Sequence, residues 1–123
     1  MDKQRYVAIV DDNEAHRLAI EDFVLSLGWP VLAFASPEEY LRSAKLCDTS
    51  FLISDVRMPG MSGVEMHKRL IGMGFAPPTV FITAFSTATL EAEVMVSGAL
   101  ALLEKPFDAA DIAHWLDLSL GQP

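Results

Sequence analysis

The 123-residue chain has one cysteine, Cys47. A single thiol excludes an intramolecular disulfide and any zinc site built from several thiolates, and it fits a reducing compartment. Basic residues are scarce: 9 Lys and Arg stand against 17 Asp and Glu, a formal net charge of -8. Binding to a phosphate backbone needs clustered Lys and Arg. Here they are scattered, which argues against direct nucleic-acid binding by this chain. The opening MDKQRYVAIVDD reaches acid after a very short apolar run, so it is not a secretory signal. Leu70 to Leu90 carries no charge for 21 residues, the length of a membrane span. Gly72, Gly74, Pro77 and Pro78 interrupt it, and hydroxyl residues from Thr79 to Thr89 make it too polar. It reads as a helix end, a turn, a buried strand and a new helix start. No membrane contact and a cytoplasmic location are the expectations.

Hydrophobic residues make up 51% of the chain and charged residues 21%. These values suit a folded globular protein, and the length suits one domain over residues 1–123 with one substantial core. Short apolar runs recur with helical spacing between them. Strands are predicted at Tyr6–Val10, Val31–Phe34, Phe51–Ser54, Thr79–Ile82 and Leu100–Leu103. A helix over 14–27 follows the first, with His16, Ile20, Phe23 and Leu27 on one face. Ser36-Pro37-Glu38-Glu39 and Ser62-Gly63-Val64-Glu65 are helix starts with a hydroxyl N-cap and a glutamate three residues on. A fourth helix runs from about Ser86 to Val96, and Asp108 caps the last, where Ile112, Trp115 and Leu116 share a face. Five strand–helix repeats with continuously apolar strands predict an α/β fold with a parallel sheet covered on both faces.

In such a sheet every strand ends on the same edge, and ligands bind there. Asp11 and Asp12 follow the first strand, Asp55 the third, Thr83 the fourth and Lys105 the fifth. No ionisable group follows the second. That silence fits a second strand at the sheet's outer edge, in the order 2-1-3-4-5 of the doubly wound flavodoxin-like sandwich. Three gathered carboxylates repel one another unless a cation neutralises them. Hard oxygen ligands with room for water suit Mg²⁺. A hard metal, an ammonium and a hydroxyl around one carboxylate make a phosphoryl-transfer site, with the carboxylate attacking to give an acyl phosphate. Each residue alone has a plainer reading: Asp12 serves equally as an N-cap, Asp11 as a loop residue, Thr83 as a strand end, Lys105 as a surface lysine. Their joint position after the correct strands carries the site. His16, on the apolar face and without a second His or Cys, is expected to be packed and satisfied.

Ile9-Val10-Asp11-Asp12, Ser54-Asp55-Val56-Arg57-Met58-Pro59-Gly60-Met61-Ser62-Gly63, Ile82-Thr83-Ala84 and Glu104-Lys105-Pro106-Phe107 resemble the receiver domain of two-component response regulators, the CheY-like superfamily. The Arg-Met-Pro loop is most similar to FixJ-like receivers, which often precede a LuxR-type DNA-binding domain. The resemblance implies that Asp55 accepts a phosphoryl group from a sensor histidine kinase. It implies that Asp11, Asp12, Asp55 and the backbone carbonyl of Arg57 hold Mg²⁺, and that Thr83 and Lys105 each bind a phosphoryl oxygen. It further implies a cis Lys105–Pro106 bond, a glycine role for Gly63, a C-terminal DNA-binding output outside this chain, and a phosphorylation-dependent homodimer. The chain would be a signalling module rather than an enzyme, beyond self-phosphorylation from small phosphodonors and auto-dephosphorylation.

One position departs from the pattern. Receivers usually carry Tyr or Phe three residues before the lysine, where this chain has Leu102. Leucine has no hydroxyl and less area, so the chemistry is expected to survive while the relay to the surface shrinks. Val94, Met95 and Val96 cannot all face one core, and Val96 is expected outside. Trp115 is expected to pack in the core. Asp108, Asp111 and Asp117 leave the last helix with no basic partner for acids on a second copy.

Other functions would need features of their own. A stand-alone receiver would act by protein contact or phosphorelay. A haloacid-dehalogenase-type phosphatase needs an Asp two residues beyond the nucleophile, where Arg57 stands. A flavin module needs a Ser/Thr/Gly phosphate loop after the first strand, where Asp11-Asp12-Asn13-Glu14 stands. A degenerate receiver would lack one of the five site residues, and all are present.

Overall fold

The computed structural model describes residues 5–123. Five strands, β1 (Tyr6–Val10), β2 (Val31–Phe34), β3 (Thr49–Asp55), β4 (Thr79–Thr83) and β5 (Ala101–Glu104), alternate with five helices. These are α1 (Glu14–Ser26), α2 (Pro37–Leu41), α3 (Gly63–Gly72), α4 (Ala88–Val96) and α5 (Ala109–Leu120). The sheet is parallel throughout, in the order β2-β1-β3-β4-β5. The reversal of order between β1 and β3 opens the crevice at their carboxyl ends.

Alternate residues of the strands feed opposite faces. Val7, Ile9, Phe51, Ile53, Val80 and Ile82 pack with Ile20 and Val24 of α1 and Ile112 and Leu116 of α5. Ala8, Val10 and Leu52 pack on the other face against Tyr40, Met66 and Leu70 from α2 and α3. Phe81 joins Val64, Leu90 and Val94 under α3 and α4. Burial of apolar surface on both faces is the main favourable term in folding, and it is why β1, β3 and β4 read as unbroken apolar runs.

The helix starts follow local chemistry. Ser36 accepts from the Glu39 amide, Ser62 from Glu65, Thr87 from Leu90 and Asp108 from Ala110. Each satisfies an amide the first turn leaves without a partner. The stretch from Leu70 to Leu90 runs as the end of α3, a turn, β4 and the start of α4. Among the described residues no helix is long and apolar enough to cross a membrane.

Several expectations need correction. The cap of α1 is Asn13, which accepts from the His16 amide, so Asp12 is left free for other work. His16 is exposed rather than packed; the apolar face of α1 begins one turn later, at Ile20. β3 starts two residues early and β5 shifts by one. A single 3-10 turn at Leu46–Asp48 precedes β3, where no periodic signal marks it. Val96 on α4 is 88% exposed, as expected, with Val94 fully buried, and Met95 is exposed as well. Trp115 is half-buried against the α1/α5 layer.

Candidate functional site

Asp11, Asp12 and Asp55 each present a carboxylate oxygen within 4.8 Å of the other two. β1 and β3 are adjacent and in register from Val7↔Phe51 to Val10↔Ser54, so the residues that follow them arrive side by side. Asp11 is buried, with one oxygen accepting from the Asn13 amide at 2.9 Å. Its other oxygen, Oδ2, is buried with no hydrogen-bond partner. A buried anionic oxygen left this way is costly. Asp12 is exposed beside it.

Lys105 supplies the positive charge. Its Nζ lies 3.7 Å from Asp11 Oδ2 and 3.7 Å from Asp55 Oδ2, outside hydrogen-bond range of either. The Lys105–Pro106 peptide is cis. The Asp55 carboxyl is pushed above its usual range, first by burial and then by the Asp11 charge. Lys105 and the backbone amides of Arg57 and Val56 pull it back down.

Thr83 ends β4 and is buried. Its hydroxyl donates to the Phe85 carbonyl at 3.1 Å and accepts from the Phe85 amide at 3.3 Å, so it is tied into its own loop. Arg57 lies in the loop after β3, two residues beyond Asp55, and is exposed. The structure thus brings together Asp11, Asp12, Asp55 and Lys105 at one point. Thr83 stands on the strand next to Asp55 (Asp55 pairs with Ile82), with its hydroxyl turned into the following loop.

The donor set fits a small hard cation. Three carboxylate oxygens within 4.8 Å of one another are the hard donors such a cation takes. The partnerless Asp11 oxygen is the acceptor such an ion would satisfy.

Sequence reasoning missed four contributors. Arg17 donates to the Asp11 carbonyl at 2.9 Å and pins the β1–α1 turn. Glu104 Oε2 accepts from the Ser86 amide at 2.6 Å and holds the loop after Thr83. Ser54 Oγ donates to the Asp55 carbonyl at 2.9 Å. His16 Nδ1 lies 2.8 Å from Lys105 Nζ. The Glu104 signal was available, since it adjoins Lys105 in the motif; the others depend on side-chain direction.

The family described as "Response regulator receiver domain" matches residues 7–117. The transcriptional regulatory protein FixJ of Azorhizobium caulinodans is 34% identical over 116 residues, covering 94% of this chain and 55% of that protein. Nodulation protein W of Bradyrhizobium diazoefficiens is 35% identical over 101 residues, 82% of this chain and 44% of that protein. The chain spans about half the length of these curated relatives. Among solved structures, the crystal structure of FixJ-N superposes with a TM-score of 0.84 at 31% identity, covering 97% of this chain and 94% of that one. Vibrio cholerae chemotaxis protein CheY4 gives 0.84 at 27% identity, covering 95% and 99%.

Proposed function

The chain belongs to the response regulator receiver family, of the FixJ-like kind, and from that premise we propose that Asp55 accepts a phosphoryl group from the phosphohistidine of a sensor histidine kinase. An Asp55 oxygen attacks phosphorus in line, the phosphorus–nitrogen bond breaks, and an aspartyl phosphate remains. The observation that carries this reading is the Lys105 ammonium, 3.7 Å from Oδ2 of both Asp55 and Asp11. An ammonium so placed offsets charge on a phosphoryl oxygen attached to Asp55.

Asp11, Asp12, Asp55 and the Arg57 backbone carbonyl would hold Mg²⁺. Bound there, the ion would neutralise charge on the transferring phosphoryl oxygens and orient them. Asp11 Oδ2 accepts no protein hydrogen bond, with the Lys105 ammonium 3.7 Å away. Donation from the Thr83 hydroxyl to a phosphoryl oxygen would break its bond to the Phe85 carbonyl and so couple phosphorylation to the β4–α4 loop.

We extend three further properties to this chain. The chain, residues 1–123, carries a single receiver domain, matched over residues 7–117. Its state controls transcription, as the name of the FixJ relative suggests for that protein, through a DNA-binding output outside these residues; a stand-alone receiver acting by protein contact or phosphorelay is the alternative. The phosphorylated form pairs as a homodimer in the cytoplasm, which sedimentation before and after phosphorylation tests.

Incubation with a small-molecule phosphodonor and Mg²⁺, read by intact mass, tests the central step. One adduct per chain is expected, absent from Asp55→Asn. No adduct, or an equal adduct on Asp55→Asn, refutes Asp55 as acceptor. Multiple turnover on a phosphomonoester would instead indicate a phosphatase.

A further inference from the structure

The shortest contact of the Lys105 ammonium is with neither carboxylate. His16 Nδ1 lies 2.8 Å from Lys105 Nζ, against 3.7 Å to each of Asp11 Oδ2 and Asp55 Oδ2. An ammonium has three donors and no acceptor. At 2.8 Å the imidazole therefore accepts at Nδ1, which makes it neutral with its proton on Nε2. His16 itself is anchored by helix α1, its amide donating to the Asn13 side chain at 3.0 Å. The imidazole thus stands on solid backbone across the cleft from the carboxylates.

We propose that His16 is a positioning residue: its neutral imidazole draws the Lys105 ammonium toward α1 and keeps it from closing onto Asp11 and Asp55. The proposal rests on the phosphoacceptor reading of the site. A lysine collapsed onto both carboxylates would compete with a divalent cation for the same oxygens and would blunt Asp55 as a nucleophile. Held by His16, the ammonium stays within ion-pair reach of Asp55 while its oxygens remain open. Deletion of the ring removes the acceptor and lets Lys105 close onto the carboxylates.

The charged groups around His16 are few. On α1 and its lead-in they are Asp12 one turn earlier, Glu14 on another face, and Arg17, whose guanidinium is taken up by the Asp11 carbonyl. Lys105 faces it from the β5–α5 turn, with Asp11 and Asp55 beyond the ammonium on the ends of β1 and β3. The other residues lining the cavity at His16 are Ala19, Ile20, Ala84, Pro106 and Phe107, all uncharged.

Three measurements on the whole chain test this. Long-range proton–nitrogen spectra at pH 8 should show the His16 tautomer with the proton on Nε2. Calorimetric titration with Mg²⁺ should show affinity weakened about three- to tenfold in His16→Ala, the size of a coupling between neighbouring charged groups. In His16→Gln, whose side-chain oxygen can accept from lysine but cannot titrate, affinity at pH 8 should match the wild type. The labelling rate from a small phosphodonor should follow affinity, slowed in His16→Ala and equal to the wild type in His16→Gln. His16 is exposed, so both variants should keep the thermal unfolding of the wild type. A neutral ring protonated on Nδ1, a His16→Ala protein equal to wild type in Mg²⁺ affinity and labelling rate, or a His16→Gln protein that behaves like His16→Ala would overturn the proposal. Failure of the wild type to label at all would sink the phosphoacceptor reading instead, and the tautomer and Mg²⁺ titrations would still decide the role of His16.

Discussion

Gly63, the first residue of α3, lies against the carbonyl oxygen of Asp55. A Cβ built on it would run into that oxygen and would stand 3.0 Å from Ser54 Oγ. The Gly63 amide donates to the Val56 carbonyl at 2.8 Å, so α3 begins on the backbone that carries the candidate acceptor. Its φ is not in the left-handed region. The requirement for glycine is therefore one of space, not of dihedral freedom.

Gly63→Ala should then move the Asp55 backbone as well as weaken the fold. Forcing a methyl into a packed site costs about 1–3 kcal/mol. Urea unfolding should report that loss. Labelling of Asp55, measured at a temperature where the variant is fully folded, should slow further than the fraction folded explains. Normal labelling in a variant that is merely less stable would show that the close approach does not set the acceptor's geometry.

Leu102 packs, half-buried, on the cluster of Phe81, Leu90 and Val94 beneath α4. It has no ring to swing and no hydroxyl to find a new partner. Phosphorylation should therefore change amide exchange in the Thr83–Ser86 loop, with a smaller change in β5. Exchange with and without a phosphoryl mimic measures both. Leu102→Tyr should enlarge the β5 response. A full-sized response around Leu102 in the wild type would refute the idea of a reduced relay.

The fold was legible because each strand is an unbroken apolar run ending in a chemically distinct residue. Asp11, Asp55, Thr83 and Lys105 could be assigned to one edge from parallel topology alone, and the second strand to the outside from its silence. The helix caps at Ser36, Ser62 and Asp108 were readable because capping is local. His16 was misjudged for the opposite reason. Its place on the apolar stripe predicted packing, but the stripe at the first turn overhangs the cleft, and a side chain there meets whatever the β5–α5 turn delivers. Helical periodicity gives a face and says nothing of what lies opposite. The half-exposed Met95 and the 3-10 turn at Leu46–Asp48 were likewise decided by neighbours distant in sequence.

Glu104 should act on the loop that carries Thr83. Its Oε2 accepts from the Ser86 amide at 2.6 Å, a short charge-assisted bond, and Ser86 Oγ in turn donates to Glu91 at 3.1 Å. Glu104→Gln removes the charge and keeps the shape. Exchange at the Ser86 amide should rise about tenfold, the loss expected for a hydrogen bond to a charged group. Global stability should change little, because the group is at the surface. Unchanged exchange at Ser86 would mean that the loop is held by Thr83 and Thr87 alone.

His67 gives the fold a dependence on pH. The ring is buried in α3, edge-on to Phe81 with centroids 5.6 Å apart, and its Nδ1 lies 3.2 Å from Ser97 Oγ. The Ser97 hydroxyl already donates to the Val94 carbonyl at 2.7 Å. His67 must therefore donate to Ser97 from Nδ1, and the neutral ring links α3 to the end of α4. Burial holds the His67 pKa below the ordinary imidazole value. As pH falls through the unfolded-state value, about 6.5 for a free imidazole, the unfolded chain binds the proton first. Stability is thus full above that pH, declines as pH drops toward the folded value, and levels off below it. Urea unfolding from pH 8 to 5 should show this decline, and His67→Phe, which keeps the ring without the titration, should flatten it. A variant that declines as steeply as the wild type would assign the pH dependence to other groups.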